Sequence, residues 1–269
     1  MIGEERVHIL ISNDDGIEAP GLRALVEEFS QLPEVKITVV APHLQRSASS
    51  HSLTFHSPLR VYKEWQEGPA HYFAASGTPT DCIMLGVYNL CGEKPDCILT
   101  GINRGANMGF DVSYSATVSS ALEGIVHQIP AMAVSLVGRS PSRYAMAAAW
   151  AHRIFARWRK PWEERDESRF EIPSSSILSV NVPDIDPQEI KGVSFTSQGR
   201  SIYHQSVQEM VDPWGGTYYW IHGELPQGEL TPGSDFQAIA DKYVSVSPLQ
   251  MQFTDGATLE YLRAGKWEF

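Results

Sequence analysis

Asp14 and Asp15 stand side by side after the run His8-Ile9-Leu10-Ile11-Ser12-Asn13 and just before Gly16. Two adjacent carboxylates in a dry site repel each other unless one takes a proton or a cation lies between them. Hard divalent ions such as Mg²⁺ take oxygen ligands. The pair is therefore a candidate metal site. The same Asn-Asp-Asp-Gly also reads as a turn that caps the next helix. These residues alone leave both readings open, so the other strand ends must decide.

Three more polar groups follow apolar runs. Val35–Val40 opens through Ala41-Pro42 into the loop His43–Ser52, where Arg46 offers a charge suited to phosphate and Ser47 a hydroxyl oxygen. A serine-rich stretch is also what an ordinary solvated loop looks like. Asp96–Thr100 delivers Gly101-Ile102-Asn103-Arg104-Gly105-Ala106-Asn107-Met108-Gly109. Its glycines permit close backbone approach, and Asn103 and Asn107 add amides without charge. Asn103 stands where a G-x-G-x-x-G fingerprint needs its second Gly, so a dinucleotide site is weakly supported. The sequence holds no G-x-x-x-x-G-K-[ST] loop, which excludes a Walker-type NTPase. Finally, Ser115 and Thr117 precede the helical stripe Val118, Ala121, Leu122, Ile125 and Val126. Free N–H groups, the helix dipole and two hydroxyls form a phosphate cradle there, beyond simple capping.

The elements that position these groups read as an α/β fold. Leu22, Leu25, Val26 and Phe29 follow helical spacing between the strands His8–Ser12 and Val35–Val40. Strand, helix, strand implies a parallel sheet. In such sheets ligands sit beyond the carboxyl ends of the strands, and all the groups above follow strand ends or open helices. Further strands are expected at Leu59–Tyr62, His71–Ala75, Pro130–Val137 and Ile177–Val182, and a long helix at Tyr144–Trp158, followed by a polar connection over Glu163–Ser176. Ser76–Asp81 reads as a capped helix start. Beyond residue 190 the texture is β-rich. Gly192–Thr196 and Thr217–Ile221, with a turn at Asp212–Gly216, read as a long hairpin with too little apolar mass for its own core. Such an arm is expected to pack on a partner subunit. A short helix at Asp235–Ala240 and a strand at Tyr243–Leu249 follow.

The chain has 269 residues, enough for one large α/β domain or one domain with an extension. The reading divides it into a core over 1–185 and a β-rich arm with returning elements over 186–269, one structural unit in a dimer. A formal net charge of −11 opposes nucleic acid as the main partner. Cys82, Cys91 and Cys97 form no CxxC pair and are expected to be reduced. The start Met-Ile-Gly-Glu-Glu-Arg lacks signal-peptide character, and no run of about 18 apolar residues suggests a membrane span. A cytoplasmic protein is the expectation.

Taken together, Ile11–Gly16, Val39–Pro42, Arg46-Ser47, Ser76–Pro79, Gly101–Asn103 with Gly105 and Asn107, and Tyr114-Ser115 with Thr117 form an ordered pattern. The chain resembles the SurE (survival protein E) family of metal-dependent nucleotidases over nearly its whole length. The resemblance implies a Rossmann-like, mostly parallel sheet flanked by helices, with a C-terminal β-hairpin extension used in oligomerisation. It implies one divalent cation per subunit, Mg²⁺ or Mn²⁺, held by Asp14, Asp15, Ser47 and Asn103. It places phosphate at Asn107, Ser115, Ala116 and Thr117. The implied reaction is hydrolysis of nucleoside 5′- or 3′-monophosphates. Since carboxylates can serve as general bases, Asp14 is the residue expected to orient or deprotonate the attacking water. The implied assembly is a homodimer or tetramer through exchanged C-terminal elements.

The sequence departs from the family at His43, usually acidic, and at Ala48 and Ala116, usually glycine. A methyl at 116 would crowd the cradle if that position needs a positive φ. A histidine at 43 changes the charge near the metal, while Ala48 and Ala116 define a rival reading, a nucleotide-binding regulator without catalysis. An aspartyl-phosphate mechanism would want D-x-D rather than adjacent aspartates, and a serine hydrolase would want a G-x-S-x-G elbow that is absent.

Overall fold

The computed structural model describes residues 7–158, 175–202, 205–223 and 227–265. Most of the polar connection expected over Glu163–Ser176 lies outside the described residues. The first strand, β1 (Val7–Ser12), is buried at all six positions. Burial on both faces is what a parallel strand covered by helices requires. Helix α1 (Pro20–Phe29) starts on proline and buries Leu22, Leu25, Val26 and Phe29. The strand β2 (Val35–Pro42) then runs parallel to β1, pairing Val7 with Val35 through Ile11 with Val39.

The hairpin β3 (Val61–Glu67) and β4 (Ala70–Ala75) extends the sheet beyond β2. Helix α2 (Pro79–Leu85) is capped by Thr78, whose hydroxyl and Asp81 form a reciprocal capping box. A π-helical turn, Gly86–Leu90, follows. On the other side of β1, β5 (Cys97–Arg104) pairs in parallel, from Ile9 with Cys97 to Ser12 with Thr100. Next come α3 (Ala116–His127), β6 (Ala131–Val137), α4 (Tyr144–Trp158) and β7 (Ile177–Pro183).

Among the described residues the main sheet has nine strands, ordered β3-β4-β2-β1-β5-β6-β7 and then two from later in the chain, β13 (Val244–Leu249) and β8 (Val193–Phe195). It is mostly parallel, with antiparallel pairs at β3–β4 and β7–β13. The mostly parallel α/β fold expected from the sequence is the observed one. The chain moves outward from β1 through β2 in one direction and returns to place β5 on the other side. That reversal is a topological switch point, where the loops after β1 and β5 part to leave a crevice.

The core has two parts, one on each sheet face. Ile9, Ile11, Val39 and Leu99 pack with α1 and α4 residues, while Leu10, Val40 and Ile98 pack with residues of α2 and α3. The alternation of Ile9, Leu10 and Ile11 between faces is the period of a strand. Cys82, Cys91 and Cys97 are buried outside any disulfide, and burial pushes the Cys91 thiol up to about 11.

The arm differs from the expected pairing. The partner of β11 (Thr217–Gly223) is β10 (Gln205–Val211), in continuous antiparallel register around the Asp212–Gly216 turn. The Gly192–Thr196 stretch instead supplies β8, which adds in parallel to β13 at the sheet edge. Spacing explains the correction, because the turn at 212–216 leaves 205–211 as the segment that can fold straight back. Two short strands, β9 (Ser201–Ile202) and β12 (Gln227–Gly228), pair antiparallel as a separate ribbon. Helix α5 (Asp235–Ala240) precedes β13, and α6 (Gly256–Ala264) buries none of its residues. Among the described residues no helix is long and apolar enough to cross a membrane.

One contact seats α1 on the crevice. A Cβ at Gly21 would lie 2.1 Å from the Ile102 carbonyl oxygen, next to Asn103. Gly21→Ala should therefore push the helix off the end of β5 and destabilise the fold by about 1–3 kcal/mol. The measurement is the urea midpoint, and an unchanged midpoint would refute this packing.

Candidate active site

The chain leaves β1 through a tight turn. Asn13 Nδ2 donates to the Gly16 carbonyl at 2.9 Å, and Gly16 takes φ +101°, which only glycine adopts readily. This turn sets Asp14 inward, 4% exposed, with Asp15 beside it. The Thr117 hydroxyl donates to Asp14 Oδ1, joining the β1 loop to the first turn of α3. Arg46 N–H donates to the Asp14 backbone carbonyl at 2.7 Å, which brings the loop after β2 onto the same turn.

Asp15 is held from two sides. Arg104 N–H, at the end of β5, donates to its Oδ2 at 3.0 Å. Gln45 Nε2 donates to its Oδ1 at 3.3 Å and to Ser47 Oγ at 2.9 Å. Asp15 and Ser47 thus share one bridging amide. Asn103 immediately precedes Arg104, and its Nδ2 donates to the Gly105 carbonyl at 3.0 Å. That bond turns the amide so that its Oδ1 is the atom left for another partner. The four residues expected to hold a cation come from the loops after β1 and β2 and from the end of β5.

Asn107 lies deeper. Its backbone exchanges two 3.0 Å hydrogen bonds with the Asn181 amide, and its Nδ2 donates to Ser135 Oγ at 2.8 Å. One amide hydrogen is committed to the scaffold and the other is left for a ligand. Ser115 caps α3 by accepting from Val118 N–H at 3.1 Å. The first intrahelical bond runs from Ser119 N–H to the Ser115 carbonyl, so the Ala116 and Thr117 amides precede the ladder. Thr100 Oγ1 donates to the Thr117 carbonyl at 2.7 Å and pins this turn to β5. Ala116 is buried in the first turn and is not among the positive-φ residues, so the expected crowding there does not arise from backbone strain. Ala48 does take φ +56°.

Gln45, Ser135 and Asn181 were not read as site residues from the sequence. Ser135 and Asn181 are polar interruptions near the carboxyl ends of apolar strands, and that was the signal available. Gln45 carried none. His43 faces the β4 side, its Nδ1 3.1 Å from the Ala75 carbonyl and its ring against Tyr62.

Burial is the main force on the carboxylates. It raises Asp14 from 3.8 to about 6, with the neighbouring Asp15 charge adding and the Thr117 hydroxyl opposing. Burial also raises Asp15, against the Arg104 amide and charge and the Gln45 amide. Ser12 Oγ and Asn13 Oδ1 are buried without a hydrogen-bond partner among the described residues. No cluster of three or more His, Cys, Asp or Glu residues suited to a metal is found among the described residues. Two crowded carboxylates and several neutral oxygens suit a hard cation that keeps some water, rather than a thiolate or imidazole metal.

The raised Asp14 sets a sign for stability. The folded state binds its proton more tightly than the unfolded chain, so metal-free stability falls as pH rises from about 4 through about 6. A 3.8-to-6 displacement corresponds to about 3 kcal/mol at most. Asp14→Asn escapes this loss. Without metal its urea midpoint should exceed the parent's at pH 8 and approach it near pH 4. Equal midpoints at pH 8 would show that burial does not load this carboxylate.

The family model "Survival protein SurE" matches residues 9–205. The 5′-nucleotidase SurE of Geobacter sulfurreducens is 42% identical over 259 residues, covering 96% of this chain and 93% of that protein. The 5′-nucleotidase SurE of Alkalilimnicola ehrlichii is 42% identical over 254 residues, 94% and 93% of the two chains. The crystal structure of the SurE protein from Aquifex aeolicus superposes with a TM-score of 0.76 at 36% identity, covering 95% of this chain and 99% of that one. A chain that matches the family model over residues 9–205 and its relatives almost end to end belongs to the SurE family.

Proposed function

We propose that this chain is a divalent-metal-dependent phosphomonoesterase that hydrolyses nucleoside 5′-monophosphates, with 3′-monophosphates as a second substrate class. The relatives at 42% and 40% identity carry the name 5′-nucleotidase. The chain is a nucleotidase-type phosphatase enzyme. One observation supports the mechanism most: Asp14 meets Thr117, so a buried carboxylate and the amino end of a 12-residue helix share one point. The carboxylate favours a cation, and the helix end favours a phosphate.

Asp14, Asp15, Ser47 and Asn103 would hold one Mg²⁺ or Mn²⁺ per subunit. When bound, such an ion neutralises phosphoryl charge and eases deprotonation of water. The protein's own groups do the rest. Asp14 orients the attacking water and accepts its proton. The Ala116 and Thr117 amides, the Ser115 hydroxyl and the remaining Asn107 amide hydrogen hold the phosphoryl oxygens. Water attacks phosphorus, the ester P–O bond breaks, and the nucleoside leaves as its alcohol after taking up a proton.

For assembly, the arm supports a homodimer or tetramer. Val207, Val211, Trp214, Tyr219, Trp220 and Ile221 are exposed along β10 and β11 and their turn. A ribbon so apolar fits against a second copy of the chain. Nucleic acid and membrane are not proposed as partners, and the cytoplasm is the proposed location.

Phosphate release from a nucleoside monophosphate panel tests the reaction. Activity should require Mg²⁺ or Mn²⁺ and vanish with EDTA. Asp14→Asn should lower kcat by about 10²–10⁴-fold with the fold intact. Full activity in that variant, or indifference to EDTA, would remove the mechanism. Nucleotide binding without release, even with Mn²⁺, would instead favour a regulator. For assembly, Val207→Asp with Ile221→Asp should lower the mass measured by light scattering, and an unchanged mass would exclude the arm as the interface.

A further inference from the structure

The loop that carries Ser47 is strained and is held from outside. Ala48 and Ser50 both have left-handed backbone, φ +56° and +49°. A left-handed backbone is costly for a residue with a Cβ, so it persists only where surrounding contacts fix it. The contacts that fix this loop run to the turn before α3 and to the start of α2. Ser50 Oγ donates to the Ser113 carbonyl at 2.7 Å, in the turn leading to Ser115. Thr54 donates through its amide and hydroxyl to Asp81 at 3.0 and 2.6 Å, and Thr78 Oγ1 donates to the Ser52 carbonyl at 2.7 Å.

Between these anchors, His51 Nε2–H donates to Glu123 Oε1 at 2.6 Å. Glu123 is 5% exposed and lies on α3, the helix whose first turn holds Thr117 against Asp14. Its other oxygen is 3.1 Å from His127 Nε2, one turn further along α3, and the His127 ring packs on Tyr88. A buried carboxylate carried on α3 is thus offered to a loop residue four positions after Ser47.

We propose that the His51–Glu123 hydrogen bond is a latch that holds the Ser47 loop on α3, making His51 a positioning residue for the cation and phosphate rim. This rests on the proposed metal-dependent reaction. A charge-assisted bond to a carboxylate this buried is strong and directional. Without it, the left-handed stretch can relax and Ser47 drifts from Asp15. Among the described residues, His51 and Glu123 contact each other and His127, not the four residues proposed to hold the cation.

Mn²⁺ binding to the substrate-free protein, read by calorimetry, is the test. His51→Ala should weaken it 5–20-fold and raise KM for a nucleoside monophosphate by more than it lowers kcat. His51→Gln, which keeps an N–H donor, should recover part of both. His127 stays beside Glu123, so the alanine variant should fold, and Glu123→Gln provides a second test. Backbone amides 46–52 should exchange faster in His51→Ala with no metal present. Unchanged Mn²⁺ affinity, KM and exchange in a folded His51→Ala overturns the latch, as does a lowered melting temperature with affinity and KM unmoved. If the parent protein binds no Mn²⁺, the metal reading fails, and amide exchange alone then decides the latch.

Discussion

The rim depends on one buried carboxylate, Asp14, bonded to the first turn of α3. An isolated carboxylate taken out of water is costly unless it is paired or protonated. Here it is placed against a second carboxylate, and burial lifts it to about 6. The fold tolerates this because the surroundings are rigid. The Thr100 hydroxyl fixes the Thr117 carbonyl, the Arg46 amide fixes the Asp14 carbonyl, and Gly16 closes the turn. The arrangement is poised to gain from a cation, and local stability is spent to keep it so.

The sheet order explains why these groups meet. Residues 14, 47 and 103 are far apart in the chain, yet they leave three adjacent strands at one edge. Beyond them, β6 and β7 send Ser135 and Asn181 to hold Asn107. The outer polar pairs therefore support a loop that the inner strands alone would leave loose. Support of this kind, from residues that touch no reactant, is what keeps an active site to within a fraction of an ångström.

Much of this was legible in the sequence because the inner strands are short apolar runs closed by distinctive polar tips. Hydrophobic periodicity located α1 and α3, an alanine-rich run located α4, and turn chemistry located the ends of β1, β2 and β5. The capping box at Thr78 and Asp81 was visible as Ser-Gly-Thr-Pro-Thr-Asp. Two features were not legible. Gln45 looks like any loop residue, since its role comes from the spatial neighbourhood of Asp15 and Ser47. The arm's pairing was misread because β-rich segments of similar composition compete for one partner, and register is settled by the turn and by which segment the main sheet claims. Ala116 shows the reverse case, where a family difference suggested strain and the local backbone is an ordinary helix start.

The position of β13 has a consequence for how the molecule is made. This strand, residues 244–249, lies between β7 and β8 in the main sheet. Until it emerges from the ribosome, the outer edge of β7 has no neighbour, and β8 has nothing to add to. From the completion of β7 until residue 249 is made, the nascent chain therefore carries an open, sticky flank, after its catalytic loops have already been laid down. Chaperone cover over that flank, rather than over the crevice, is what translation of this protein should demand.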